Sequence, residues 1–248
     1  SRGAALRQRM TSDYDISSDR QCINVVEDCN TATYLALLGS DGDLHTAIAD
    51  MSVLSHIPIP DEKILSEADY LIVDANPPID NLTMAATRAK CAGTKVCFEP
   101  TSVPKAVLAA QNEDFMKCLT YAFPNLDELI AMTGDISSRR DQNDNAIQDA
   151  AKIVLEKMNE MEGHLIISMG KEGVLLASKE ASKPTKFQHF PTNEIIVSNC
   201  TGAGDTLAAS FINSLQEGCS IEESIVRGMK DAILSLECSH RAISPKIS

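Results

Sequence analysis

Residues 199–206 read Asn199-Cys200-Thr201-Gly202-Ala203-Gly204-Asp205-Thr206, and an amphipathic stretch follows directly. Leu207, Ala208, Phe211, Ile212 and Leu215 recur at helical spacing, so a buried helix begins here. Asn193 to Ser198 contains Ile195, Ile196 and Val197, a strand-like run before the turn. Gly202, Ala203 and Gly204 therefore stand where a strand becomes a helix. N–H groups at a helix start lack intrahelical acceptors, and the helix dipole favours negative charge in front of them. Glycine lets a phosphate come close to the backbone. A carboxylate at the same place, Asp205, would be repelled by a resting phosphate. It makes sense if it takes a proton from a hydroxyl that attacks phosphorus. The plainer reading is an ordinary Asp in the first turn of a helix, a common placement.

The chain has 248 residues, enough for one α/β domain with a large core. Its formal net charge of −13 argues against nucleic-acid and anionic-membrane partners. It does not argue against ATP, since local N–H groups and Mg2+ handle phosphate whatever the global charge. No tryptophan is present to stack single-stranded bases. The eight cysteines form no C-x-x-C pair and lack zinc-site spacing. Free thiols in a reducing, cytoplasmic compartment are expected. No run of 18 apolar residues exists for a membrane span. Ser1 to Met10 carries Arg2, Arg7 and Arg9 without an apolar core, so it is no secretory signal; a mitochondrial presequence and a surface helix both fit it.

Strand-like runs are read at Cys22 to Glu27, Ala32 to Leu38, Leu44 to Ala49, Tyr70 to Val73, Lys95 to Phe98, Leu119 to Ala122, Leu165 to Ser168, Val174 to Ala177 and Ile195 to Val197. The second and third flank Ser40-Asp41-Gly42-Asp43 and predict a β-hairpin. Helices are expected at Gly3 to Met10, Asp61 to Ala68, Leu82 to Ala92, Leu126 to Met132, Asn145 to Met161, Gly204 to Gln216 and Ile221 to Leu236. Asp135 to Asp144 reads as a loop. Alternation of strand and helix implies an α/β fold with a largely parallel sheet. Ligands of such sheets sit at the carboxyl ends of the strands. That rule makes neighbours of Asp74, Asn76, Glu99, Asn125, Gly170 and the Gly202 turn.

Asn125 and Glu128 have the spacing of a capping box. Ser168-Met169-Gly170-Lys171-Glu172-Gly173 joins two strands and suits a tight turn. Lys171 is not a P-loop lysine, because the chain has no G-x-x-x-x-G-K-[ST]. Asp50 and Asn76 are candidates for binding hydroxyl groups, and both also suit strand-end or turn positions.

The octet at 199–206 resembles the second signature of the ribokinase-like (pfkB) family of sugar and nucleoside kinases. The resemblance implies a three-layer α/β/α fold with a small β lid, the lid lying at approximately 22–50 of a single kinase domain spanning 1–248. It implies an anion hole at Gly202, Ala203 and Gly204, with Asp205 as the base that activates the acceptor hydroxyl. Cys200 and Ser210 depart from the family pattern. Val197 and Ser198 stand where an Asp usually helps hold a monovalent cation, which counts against cation activation here. The family's Asn-x-x-Glu motif implies that Asn125 serves the nucleotide phosphates and Glu128 serves Mg2+, which needs few protein carboxylates. Its Thr-x-Gly-x-x-Gly turn implies nucleotide contacts at Ser168, Gly170 and Gly173, with Val197 beside them.

Thr31 to Leu38, Ala47 to Met51, Asp74 to Pro77 and Phe98 to Ser102 are similar in wording to the pseudouridine kinases of this family. The implied activity is ATP-dependent phosphorylation of a sugar or nucleoside hydroxyl, here the 5′ hydroxyl of pseudouridine, with substrate contacts at Asp50 and Asn76. Ribose or another sugar is the alternative acceptor. A non-catalytic nucleotide-binding relative is the alternative from outside enzymology. Lid strands of the family pair between subunits, which implies a homodimer. The family's first strand, its Gly-Gly-Asn segment and its Gly-Asp-Gly stretch are not found upstream of Thr31, so an N-terminally incomplete domain is expected.

Overall fold

A computed structural model of the chain describes residues 25–38, 44–134, 144–192 and 201–237. The expected helix at Gly3 to Met10, the Asp41-Gly42 turn and the strand at Ile195 to Val197 lie outside these residues. So do Val197 and Cys200.

Two strands, β1 (Thr33–Leu38) and β2 (Leu44–Asp50), pair antiparallel as a separate ribbon. Thr33 faces Asp50 and Leu35 faces Ile48, with an irregularity at Leu37/Leu38. The ribbon is the expected hairpin, but it starts at Thr33. Of the strand expected at Cys22 to Glu27, Cys22 to Asn24 lie outside the described residues, and Val25 to Glu27 is not a strand but runs into a turn in which Asp28 takes φ 63. A 3-10 helix (Ser52–His56) and α1 (Glu62–Ser66) lead into the main sheet.

That sheet has the order β3 (Tyr70–Asp74), β4 (Lys95–Glu99), β5 (Leu119–Ala122), β6 (Glu162–Ser168), β7 (Val174–Glu180), β8 (Lys186–Phe190). Pairs β3–β4, β4–β5 and β5–β6 are parallel, and β6–β7 and β7–β8 antiparallel. The parallel strands alternate with α2 (Ile79–Ala92), α3 (Val103–Gln111), α4 (Glu113–Met116), α5 (Leu126–Thr133) and α6 (Asp144–Lys157). Two long helices, α7 (Ala203–Gln216) and α8 (Ile221–Leu236), follow β8.

The inner strands β4, β5 and β6 are apolar on both faces because both faces are covered. Val96, Phe98, Leu119, Leu165 and Ile167 join a core with Ala86, Met132, Ala151 and Leu155 of α2, α5 and α6. Cys97, Tyr121, Ile166 and Leu176 pack the other way, against Leu207, Phe211, Ile212 and Ile225 of α7 and α8. This gives helix, sheet, helix: the three-layer α/β/α fold. No helix among the described residues is long and apolar enough to cross a membrane.

Helix α3 and strand β8 are additions to the reading from sequence. Helix α6 ends at Lys157, short of Met161, because Glu162 already begins β6.

Candidate active site

Four strand ends, of β3, β4, β5 and β6, and two helix starts, of α5 and α7, lie at the carboxyl edge of the parallel strands. Chain registration there is tight. Ala75 N–H donates to Glu99 O (3.0 Å), Phe123 N–H to Phe98 O (3.0 Å) and Ser168 N–H to Pro124 O (3.0 Å). A parallel bridge joins Asn125 to Ser168, so these two predicted nucleotide-side residues are neighbours.

Asn125 is the N-cap of α5 and makes a full capping box. Glu128 N–H donates to Asn125 Oδ1 (2.9 Å), and Asn125 N–H donates to Glu128 Oε2 (2.9 Å). Glu128 is only 4% exposed. Burial raises its carboxyl above the ordinary value, the Asn125 N–H lowers it, and the charge of Asp127 raises it again. Asn125 itself is exposed, with its Oδ1 committed to the cap.

At the end of β4 stands Glu99, half-buried. Its carboxyl is pushed up to about 7, first by burial, then by the charges of Glu128 and Asp205, against hydrogen bonds from Thr101 that lower it. Glu99 therefore ties the α5 start to the α7 start: both predicted carboxylates lie within electrostatic reach of one side chain. Asp205 is exposed in the first turn of α7. The N-cap of that helix is Gly202, at φ 83, and among the described residues no side chain caps it. A left-handed φ suits glycine. A Cβ added at Gly204 would meet nothing within 4 Å. Thr206 fixes this turn by donating N–H (2.9 Å) and Oγ1 (2.8 Å) to Gly202 O, and its hydroxyl meets Ser235 of α8 at 3.1 Å. Ser210, a departure from the family pattern, donates to Asp231 Oδ2 of α8 at 2.7 Å.

The Gly170–Glu172 turn joins β6 to β7. Gly170 has φ +57 and open space where a Cβ would stand. Gly173 has φ +92, and a Cβ there would lie 2.1 Å from Phe190 O. The close approach of β8 is thus sufficient reason for a glycine at 173.

On the other flank, Asn76 is held by Asp74, whose Oδ2 accepts its Nδ2 (2.6 Å) and whose Oδ1 accepts its N–H (3.0 Å). Lys105 Nζ donates to Asn76 Oδ1. Thr101, at φ 66, is a β-branched residue in the left-handed region, a costly conformation. Its hydroxyl accepts from Ala75 N–H (3.2 Å). Glu99 was expected from sequence as a neighbour at the strand ends but without a role, and Thr101 and Lys105 were not among the expected site residues. Lys105 had a signal: it lies one helical turn into an Ala-rich stretch opened by Ser102 and Pro104. Asp50 sits apart at the end of β2. Its Oδ1 accepts from Ser52 Oγ (2.8 Å) and Ser52 N–H (3.2 Å), which lower its carboxyl, and no hydrogen bond among the described residues links it to Asn76.

Among the described residues no three His, Cys, Asp or Glu side chains converge as a metal cage. A surface groove of about 330 Å³, lined by Phe190, Glu222, Glu223, Val226 and Arg227, lies on α8 and holds none of the predicted residues.

The model of the "pfkB family carbohydrate kinase" matches residues 15–246. The chain belongs to the pfkB family. A pseudouridine kinase of Arabidopsis thaliana is 26% identical to this pfkB chain, over 85% of it and 69% of the relative. A pseudouridine kinase of Escherichia coli is 27% identical, over 85% of the chain and 64% of the relative. The chain also matches 36% of a pseudouridine-metabolizing bifunctional protein of Schizosaccharomyces pombe, with 26% identity over 90% of the chain. Among solved structures, a ribokinase of Thermotoga maritima superposes with a TM-score of 0.68 at 25% identity, covering 86% of the chain and 66% of that protein. A Cryptococcus neoformans ribokinase in complex with ADP gives 0.70 at 18% identity, over 90% of the chain and 72% of that protein, and supports the ribokinase fold.

Proposed function

We propose that this pfkB chain carries the catalytic half of an ATP-dependent kinase for a nucleoside or sugar hydroxyl, with the 5′ hydroxyl of pseudouridine as the acceptor. The observation that carries the reading is the α7 start. It is an uncapped, glycine-lined helix terminus, with an exposed carboxylate in its first turn and a second carboxyl, Glu99, in electrostatic contact. The similarity to two pseudouridine kinases supports the choice of acceptor.

The roles follow from the chemistry. Asp205 accepts the proton of the acceptor hydroxyl as its oxygen attacks phosphorus. The N–H groups of Ala203 and Gly204 face outward along the helix dipole and stabilise charge on the transferred phosphoryl group. Gly202 supplies the left-handed turn that aims them. Asn125, Ser168 and the Gly170–Gly173 turn form the nucleotide side, joined by the Asn125–Ser168 bridge, with Val197 assigned there by family pattern. Asn76, held by Asp74 and Lys105, presents its amide to the acceptor, and Asp50 closes over it from the lid.

Mg2+ fits the donor set. Mg2+ keeps waters and phosphate oxygens and takes one or two carboxylates, which Glu128 and Glu99 could supply. Glu128 would hold it, directly or through water, with Glu99 nearby. Bound there it would neutralise phosphate charge.

The ribbon β1–β2 is the lid. Tyr34 (57% exposed) lies on one face, and Leu35 (61%) and Ile48 (71%) lie on the other. One apolar face serves the acceptor and the other a second copy of the chain. Ile48→Asp should shift a dimer to monomer in sedimentation velocity. An unchanged sedimentation coefficient for wild type and variant would remove the dimer assignment.

The functional test is phosphate transfer from ATP across pseudouridine, ribose, adenosine and fructose 6-phosphate. Pseudouridine should be turned over best. Preference for ribose would keep the kinase and change the acceptor. Nucleotide binding without transfer to any of them would assign the non-catalytic alternative.

A further inference from the structure

The thiols that the proposed reaction leaves unused include two on neighbouring elements. Cys91 is exposed in the last turn of α2, and Cys118 is buried (5% exposed) immediately before β5. Two contacts bring them together. Lys90 Nζ donates to Lys117 O at 2.7 Å, pinning the residues just before each cysteine to one another. Thr87, one turn before Cys91 on the same helix face, meets Cys118 Sγ at 3.9 Å. The Cys118 thiol also donates to Asp114 O at 3.2 Å, which orients it at the α2 surface. Burial raises its pKa first, and Cys91 is among the charges that raise it further. Cys97 makes a contrast. It is buried in the core under α7 and pushed up to about 12, with no exposed thiol described as a neighbour.

We propose that Cys91 and Cys118 are a peroxide-sensitive thiol pair, with Cys91 the attacking sulfur and Cys118 the resolving one. Exposure gives Cys91 access to a small oxidant, and the Thr87 and Lys90 contacts keep Cys118 within reach of it. In the first step the Cys91 thiolate attacks one oxygen of hydrogen peroxide. The O–O bond breaks, hydroxide leaves and is protonated to water, and Cys91 becomes a sulfenic acid. In the second step the Cys118 sulfur attacks Cys91 Sγ. The S–O bond breaks, and the departing hydroxide takes the Cys118 proton. One disulfide and two waters result, and the two electrons come from the two sulfurs. A small-molecule thiol reverses it. The pair sits at the amino edge of β5, the opposite edge from Asp205, so the disulfide would staple α2 to the sheet without entering the kinase site.

The full chain is treated with equimolar hydrogen peroxide, its remaining thiols are alkylated, and its peptides are mapped by mass. A Cys91–Cys118 cross-linked peptide is expected as the main disulfide product. Cys91→Ser should abolish it. Cys118→Ser, or Cys118→Ala should the serine variant not fold, should leave a Cys91 sulfenic acid that dimedone traps several-fold more than in wild type. Wild-type protein in which Cys91 is oxidised to acids while Cys118 stays alkylatable would overturn the proposal. So would a cross-link that persists in Cys91→Ser.

Discussion

Two helices begin within electrostatic reach of Glu99, and they begin in opposite ways. Helix α5 closes its own terminus: Asn125 and Glu128 exchange backbone-to-side-chain hydrogen bonds, which use two of the donors at its start. Helix α7 has a glycine N-cap with no side chain to offer. Helix α8, away from the site, is closed by Ser220 and Glu223 in the same manner as α5. A capped start is what stability alone selects. An uncapped start with open space at Gly204 gives up that stabilisation, and a bound anion can restore it. The contrast separates the terminus that builds the site from the terminus that acts in it.

The largest effect that would sharpen this contrast is expected at Gly204. Since a Cβ there meets nothing, Gly204→Ala should keep the fold and raise stability by up to about 1 kcal/mol through helix propensity. Phosphoryl transfer should nevertheless fall by about 10²-fold, because the added methyl group stands where the phosphoryl group approaches the backbone and keeps it from the donors there, an effect comparable with loss of one preorganised donor. Thermal unfolding and steady-state kinetics on the same sample read both. Unchanged kinetics would break the contrast.

Glu99 gives the next effect. Its folded pKa of about 7 stands above the ordinary 4.5. The folded state therefore binds more protons between these values, and stability falls as pH rises through that window. Denaturant unfolding should show wild type losing stability from pH 5 to 8 relative to Glu99→Gln. A parallel pH profile for the two would show that Glu99 does not feel Glu128 and Asp205.

A smaller effect belongs to the capped start. Asn125→Ala removes the bond to Glu128 N–H and should cost about 1 kcal/mol in urea unfolding. Relative to Gly204→Ala it should act more on stability than on turnover. A turnover loss as large as that of Gly204→Ala, with stability unchanged, would reverse the assignment of the two termini.

Much of the fold was legible because strands buried on both faces read as short apolar runs, as at Lys95 to Phe98 and Leu119 to Ala122. Strand β8 escaped because Lys186-Phe187-Gln188-His189-Phe190 is an edge strand, half polar and mostly exposed. Helix α3 escaped because its buried residues are alanines, Ala106, Ala109 and Ala110, which leave little apolar contrast. In the candidate site, Asn125, Glu128 and Asp205 announce themselves by position, next to a turn and a helix start. Glu99 is legible as a strand end at the ligand edge, but its role, like that of Lys105, comes from what it faces across the sheet edge, which no spacing along the chain records. The Asn125–Glu128 pair shows the converse: its spacing fits a cap and a metal-side motif alike, and the cap is what the backbone visibly uses.

The most direct measurement is a pair of experiments on Asp205→Asn: ATP affinity by calorimetry and single-turnover transfer to pseudouridine. Nucleotide affinity within a few-fold of wild type, together with a transfer rate lower by about 10²–10⁴-fold, is the outcome predicted for a proton-accepting carboxylate at an open helix start. Transfer at near the wild-type rate would contradict it.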